Sequence, residues 1–133
     1  MTRAGPLSLC ALAMLVAATG CASRQPVQTP AQLRGDPARF VGTAELPISY
    51  QRAADCFENT AARISIDGEN STNLTVLPEL STARITVTSY GLVYAVMDLV
   101  GTSATSSKAT AFAVEPFQSD HVQTWLKTLR DCR

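Results

Sequence analysis

The segment ARITVTSYGLVYAVMDLV (Ala83–Val100) sets two hydrophobic patterns side by side. In its first half Ile85 and Val87 alternate with Arg84, Thr86 and Thr88, which is the period of a strand buried on one face only. Gly91 interrupts the pattern. Leu92–Val100 is then apolar on both faces, as expected of a central strand with some cover on each side. Two strands that meet at a glycine with no helical pattern between them form a hairpin, so an antiparallel sheet is expected. Asp98 is the one charge in the apolar run. It is expected to face solvent near the strand end; the alternative is a buried functional carboxylate with a raised pKa.

On the C-terminal side, GTSATSSK reads as a loop. ATAFAVEPF follows as another strand, with Ala109, Ala111 and Ala113 on one face and Thr110, Phe112 and Val114 on the other. Small residues on one face favour the close approach of a helix. SDHVQTWLKTLRDC supplies one: Val122, Trp125, Leu126, Leu129 and Cys132 share a helical stripe. Asp120 and Gln123 have the spacing of a capping box at its start.

On the N-terminal side, Leu74–Leu77 reads as a short strand stopped by Pro78, and Asp67-Gly68 as a turn. RISIDG reads as a half-buried strand. PISYQRAADCFENTAAR reads as a helix that begins near Pro47 and presents Tyr50, Ala53, Ala54, Phe57 and Ala61 on one face, with Cys56 beside it. Asn70-Ser71-Thr72 and Asn73-Leu74-Thr75 have the form of glycosylation sequons and are given no weight. The expected class is therefore α+β: an antiparallel meander of about four strands, with N- and C-terminal helices packed on one face and a disulfide between them.

Ala22 to about Leu46 reads as a polar tether spaced by Pro26, Pro30 and Pro37, long enough to reach ~75 Å as polyproline II. Within it Arg34-Gly35-Asp36 matches an adhesion tripeptide, but Asp36-Pro37 is better read as the cap and first residue of one helical turn.

At the start of the chain Arg3 precedes an apolar run from Leu7 to Ala18, and Thr19-Gly20-Cys21 closes it. This layout suits a secretory signal and is too short to span a bilayer. AATGC resembles the lipobox of bacterial lipoproteins, although Ala18 stands where Leu is usual. The resemblance implies cleavage after Gly20, diacylglycerol on the Cys21 sulfur and a fatty acyl chain (palmitate in type) on the new amine. Two or more acyl chains hold a protein stably on a membrane. Ordinary signal cleavage after Ala18-Thr19-Gly20 is the alternative. The residue after the cysteine is Ala22 and not Asp, which by the same resemblance favours the outer membrane of a Gram-negative bacterium, on its periplasmic or surface side. The expected division is residues 1–20 as signal, 21–46 as lipidated cysteine and tether, and 47–133 as one domain.

The chain has four cysteines. Cys10 lies in the signal and an acylated Cys21 cannot pair, so Cys56 and Cys132 remain. An oxidising compartment favours a structural disulfide between them. Metal binding is not expected, because two sulfurs and the single His121 do not complete a tetrahedral set.

Charge is balanced, 11 basic against 11 acidic residues, which gives no basic surface for nucleic acid. There is no Gly-x-Ser-x-Gly, phosphate loop or nucleophile–base pair, so no enzyme and no cofactor is expected. Two functions remain. The leading one is an envelope interaction or structural module with a protein or cell-wall partner. The other is a small-ligand or lipid carrier using Tyr94, Phe112 and Trp125, although Trp125 suits the core better.

Overall fold

The computed structural model describes residues 26–61, 71–114 and 117–133. The expected signal (1–20), Cys21 and the strand expected at RISIDG lie outside these.

Five strands form one antiparallel sheet: β1 (Phe40–Leu46), β2 (Ser71–Leu77), β3 (Thr82–Ser89), β4 (Leu92–Ser103) and β5 (Ser106–Ala113). The order across the sheet is β1-β5-β4-β3-β2, so β2 to β5 are a consecutive meander and β1 returns to the free side of β5. β1 is not among the expected strands, and it runs through the C-terminal part of the expected tether. Ala44 and Leu46 point into the core while Thr43 and Glu45 stay exposed, the alternation of an edge strand with one buried face.

The β3–β4 connection is a two-residue turn at Tyr90-Gly91, with φ of 49° and 76°. Positive φ at both positions gives the type I′ geometry that matches strand twist, and Gly91 adopts it without a steric penalty. Val87 pairs with Ala95 and Thr88 with Val93, so Tyr94 is an extra residue on β4. This bulge turns Val93 to the same face as Val96 and leaves Tyr94 packed against the main core.

The stretch expected as a loop is hairpin instead. Gly101–Ser103 continues β4, Ser106–Lys108 begins β5, and only Ala104-Thr105 forms the turn. Its composition reads as loop because the polar side chains bond one another: Ser106 Oγ lies 2.8 Å from Thr102 Oγ1 and 2.6 Å from Ser103 Oγ. Ser107 is fully buried and donates from Oγ to the Ile48 carbonyl at 2.8 Å.

Among the described residues, three α-helices accompany the sheet. α2 (Tyr50–Cys56) is capped by Ser49, whose hydroxyl accepts from Arg52 N–H, and it widens into a π turn at Phe57–Ala61. The helix therefore starts three residues after Pro47, because Ser49 can satisfy a free N–H and proline cannot. Tyr50, Ala53, Ala54 and Phe57 form its buried face. α3 (Phe117–Arg130) begins before Asp120, which lies in its first turn and not at the cap. An acid there still favours the helix dipole. Val122, Trp125, Leu126 and Leu129 of α3 belong to one core cluster with the α2 residues and with Ala83, Ile85, Met97, Leu99, Ala109 and Ala111 of the sheet. Cys56 and Cys132 are joined by a disulfide, with their Cα atoms 6.3 Å apart.

α1 (Pro30–Gly35) also lies within the expected tether. Thr29 accepts from Gln32 N–H, and the Gln32 side chain accepts from Thr29 N–H, a complete capping box with Pro30 in the first turn. Leu33 is fully buried against Val93 and Val96 on the sheet face opposite the main core, with Val27, Phe112 and Val114 around it. Removing one leucine from water contributes about 1.5–3 kcal/mol, which offsets part of the cost of ordering a short helix. The one-turn helix expected at Asp36-Pro37 is present as Pro37–Arg39, capped by Asp36.

Candidate functional site

The described part of the chain enters the fold at the end of the sheet that carries the β3–β4 turn. The Val27 carbonyl accepts from Val93 N–H at 2.8 Å, and Val93 is the second residue of β4. Cys21 precedes this point by six residues and lies outside the described residues.

The disulfide sits where α2 gives way to its π turn and where α3 ends. Cys132 is buried and Cys56 half-buried. Nearby, Arg52 Nη2 donates to the Arg133 carbonyl at 2.8 Å, a second tie between α2 and the C-terminal residues. Arg130 Nη2 donates to the Thr43 carbonyl at 2.8 Å and so fastens α3 to β1. The bridge therefore works as part of a set of cross-links. It closes a loop with a sequence separation of 76.

The three residues expected to line a ligand site do not form one. Trp125 is 1% exposed and packs in the main core, its ring perpendicular to that of Phe57 at a centroid distance of 5.2 Å. Its Nε1–H has no hydrogen-bond partner among the described residues. Tyr94 is half-buried against the same core because of the β4 bulge. Phe112 lies on the opposite face of the sheet, among Leu33, Val93 and Val96, and meets Phe40 edge-on at 5.9 Å. The sheet separates it from Trp125. Strand alternation places Phe112 away from the alanines of β5, and those alanines face the helices.

Asp98 is neither solvated nor at a strand end. Its side chain is 14% exposed and sits in the body of β4, directly across from Arg84. Arg84 Nε donates to Oδ1 at 2.7 Å, and Arg34 Nη1 donates to Oδ1 at 3.2 Å and Oδ2 at 2.9 Å. Two guanidinium groups thus hold one carboxylate and pin α1 to the sheet. The residues of the Arg34-Gly35-Asp36 tripeptide are engaged in the fold: Arg34 on Asp98, and Asp36 as a cap that also accepts from Arg39 Nε at 3.3 Å.

At the other end of the sheet, around the β4–β5 turn, is an open cleft of about 630 Å³ lined by Tyr50, Gln51, Pro78, Ser81, Gly101, Thr102, Ser103 and Ala104. A smaller one of about 350 Å³ adjoins it, lined by Pro47, Ile48, Ser49, Arg52, Ala104 and Thr105. Gly101 permits the larger cleft's close packing: a Cβ there would stand 3.1 Å from Tyr50 Cδ1 and 3.3 Å from the Ser81 carbonyl oxygen. The Ser81 carbonyl already accepts from Gly101 N–H at 2.8 Å. These linings offer hydroxyls, amides and one guanidinium. They suit hydrogen bonding to a polar surface and hold no carboxylate or imidazole for proton transfer. Sequence reasoning did not find the clefts, because three separate stretches of chain (47–52, 78–81 and 101–105) build them and none carries a local motif.

Among the described residues, no group of three or more His, Cys, Asp or Glu side chains is placed to hold a metal ion. None of the described helices is long and apolar enough to cross a membrane. No protein-family model, curated protein or solved structure matches the chain.

Proposed function

We propose that this chain is an exported envelope lipoprotein, anchored through acyl chains on Cys21, whose disulfide-linked domain is a non-enzymatic interaction module. The outer membrane of a Gram-negative bacterium is the proposed site, with the domain facing the periplasm or the surface. The observation that carries this reading is the Cys56–Cys132 disulfide, which belongs to an oxidising compartment. The apolar run from Leu7 to Ala18, ending at Thr19-Gly20-Cys21, provides a route there. The polar clefts around the β4–β5 turn provide a surface for an envelope protein or cell-wall partner.

The test is a comparison of the native protein with a Cys21→Ala variant. Native protein should fractionate with membranes and capture a discrete envelope protein or cell-wall fragment, whereas the variant should leave the membrane fraction. Equal membrane retention of both forms contradicts the anchor. Recovery of no partner by either form contradicts the interaction role.

A further inference from the structure

The chain is already part of the fold at Val27, far closer to Cys21 than a 25-residue tether would allow. Val27 is already bonded to Val93, so six residue steps separate the proposed anchor from the body of the domain. Whatever path those residues take, they span at most about 20–22 Å, at roughly 3.3–3.6 Å each. β4 alone has 12 residues and is about 36 Å long at roughly 3.3 Å per residue. The leash is shorter than the sheet, so the anchor cannot let the domain turn freely end over end above the lipid.

We infer that the domain rests on the membrane by its β3–β4 turn, with Tyr90 in the headgroup layer and the clefts around the β4–β5 turn directed into the aqueous compartment. This rests on acylation at Cys21. Two observations converge on the same end of the sheet. The chain enters there, since the residue bonded to Val27 lies three positions after Tyr90. Tyr90 is also 80% exposed, the most exposed of the large apolar side chains in the described residues. An aromatic ring with a polar tip suits the membrane–water interface, where the ring leaves water and the hydroxyl keeps its hydrogen bonds. The type I′ turn places Tyr90 at the tip of the hairpin, between the last residue of β3 and the first of β4. Phe40, 51% exposed, lies in the same half of the sheet through its pairing with Phe112 and adds apolar surface near the lipid. The lipid surface is a partner that needs no binding pocket, only an apolar tip kept at high local concentration by a short linker.

The experiment uses the full lipidated chain in phosphatidylcholine vesicles, with a nitroxide attached at Tyr90→Cys or, in a separate variant, at Ala104→Cys. Both positions are exposed, so neither label disturbs the core. Flotation with the vesicles is scored first, and then the label's collision rates with oxygen and with a water-soluble nickel chelate. The label at position 90 should be enriched in oxygen collisions and depleted in nickel collisions relative to the label at position 104. Inserting twenty Gly/Ser residues after Ser23 should abolish that difference while flotation persists. Equal nickel accessibility at both positions in floating protein overturns the docking and leaves the anchor standing. An unchanged difference after the insertion overturns the short-leash argument. Protein that does not float overturns both the docking and the lipid anchor.

Discussion

Arg34 reaches from α1 to Asp98 in β4 and donates to both of its carboxylate oxygens, at 3.2 and 2.9 Å. The contact fastens a short N-terminal helix to the sheet face that α2 and α3 leave open. Asp98→Ala would leave Arg34 and Arg84 facing each other half-buried with no counter-charge. Breaking one side of such a cluster costs more than the pair itself contributes, so the variant should lose about 1–3 kcal/mol in urea unfolding. Arg34→Ala should lose less, because Arg84 remains on Asp98. In a double-mutant cycle the two substitutions should be strongly non-additive.

The disulfide should dominate stability. Closing a loop of this length removes chain entropy from the unfolded state equivalent to about 4–5 kcal/mol. Cys56→Ser with Cys132→Ser should lower the unfolding free energy from urea titration by a matching amount, and reductant should do the same to the unsubstituted protein. Since domains of this size are stable by only about 5–15 kcal/mol, the reduced form should unfold at a much lower temperature.

Gly101 should resist even a methyl group. Gly101→Ala places a Cβ against Tyr50 and the Ser81 carbonyl, and overpacking of this kind costs about 1–3 kcal/mol. Gly42 is the internal control. Its Cβ would meet only Leu126 Cδ1, at 3.4 Å, an ordinary contact, so thermal denaturation should show Gly42→Ala to be the milder change.

Ser107→Ala should cost about 1–2 kcal/mol, since it leaves the Ile48 carbonyl without the Oγ–H that reaches it at 2.8 Å in a buried site. Ser106→Ala, in the exposed hydroxyl cluster of the same hairpin, should change stability by less than about 0.5 kcal/mol. Chemical denaturation of the two variants side by side distinguishes a structural serine from a solvated one.

The elements legible in the sequence were those with a clear period. β3, β4, the buried face of α2 and the Val122–Leu129 stripe of α3 all follow apolar spacing, and the Cys56–Cys132 pair follows from cysteine arithmetic once the chain is read as exported. β1 and α1 were hidden by composition: proline and glutamine suggested an extended tether, while the signals that matter are few. The Thr29–Gln32 capping box and the Ala44–Leu46 alternation are both present in the sequence, yet each is short, and Leu33 becomes informative only when Val93 and Val96 are placed beneath it. The continuation of β4 and β5 up to a two-residue turn was missed because serine and threonine stabilise it through their side chains, a pattern that composition cannot tell from a loop. The aromatic set did not assemble because strand alternation puts Phe112 on the sheet face opposite Trp125, while the extra residue in β4 moves Tyr94 to the Trp125 side.

Intact mass of the mature protein extracted from membranes puts the anchor and the bridge on one readout. The expected species begins at Cys21, carries diacylglycerol and a further acyl chain, and lacks the two hydrogens of free thiols at Cys56 and Cys132. A chain without acyl groups, or one that takes up two thiol-alkylating groups before any reductant is added, contradicts the proposed lipoprotein.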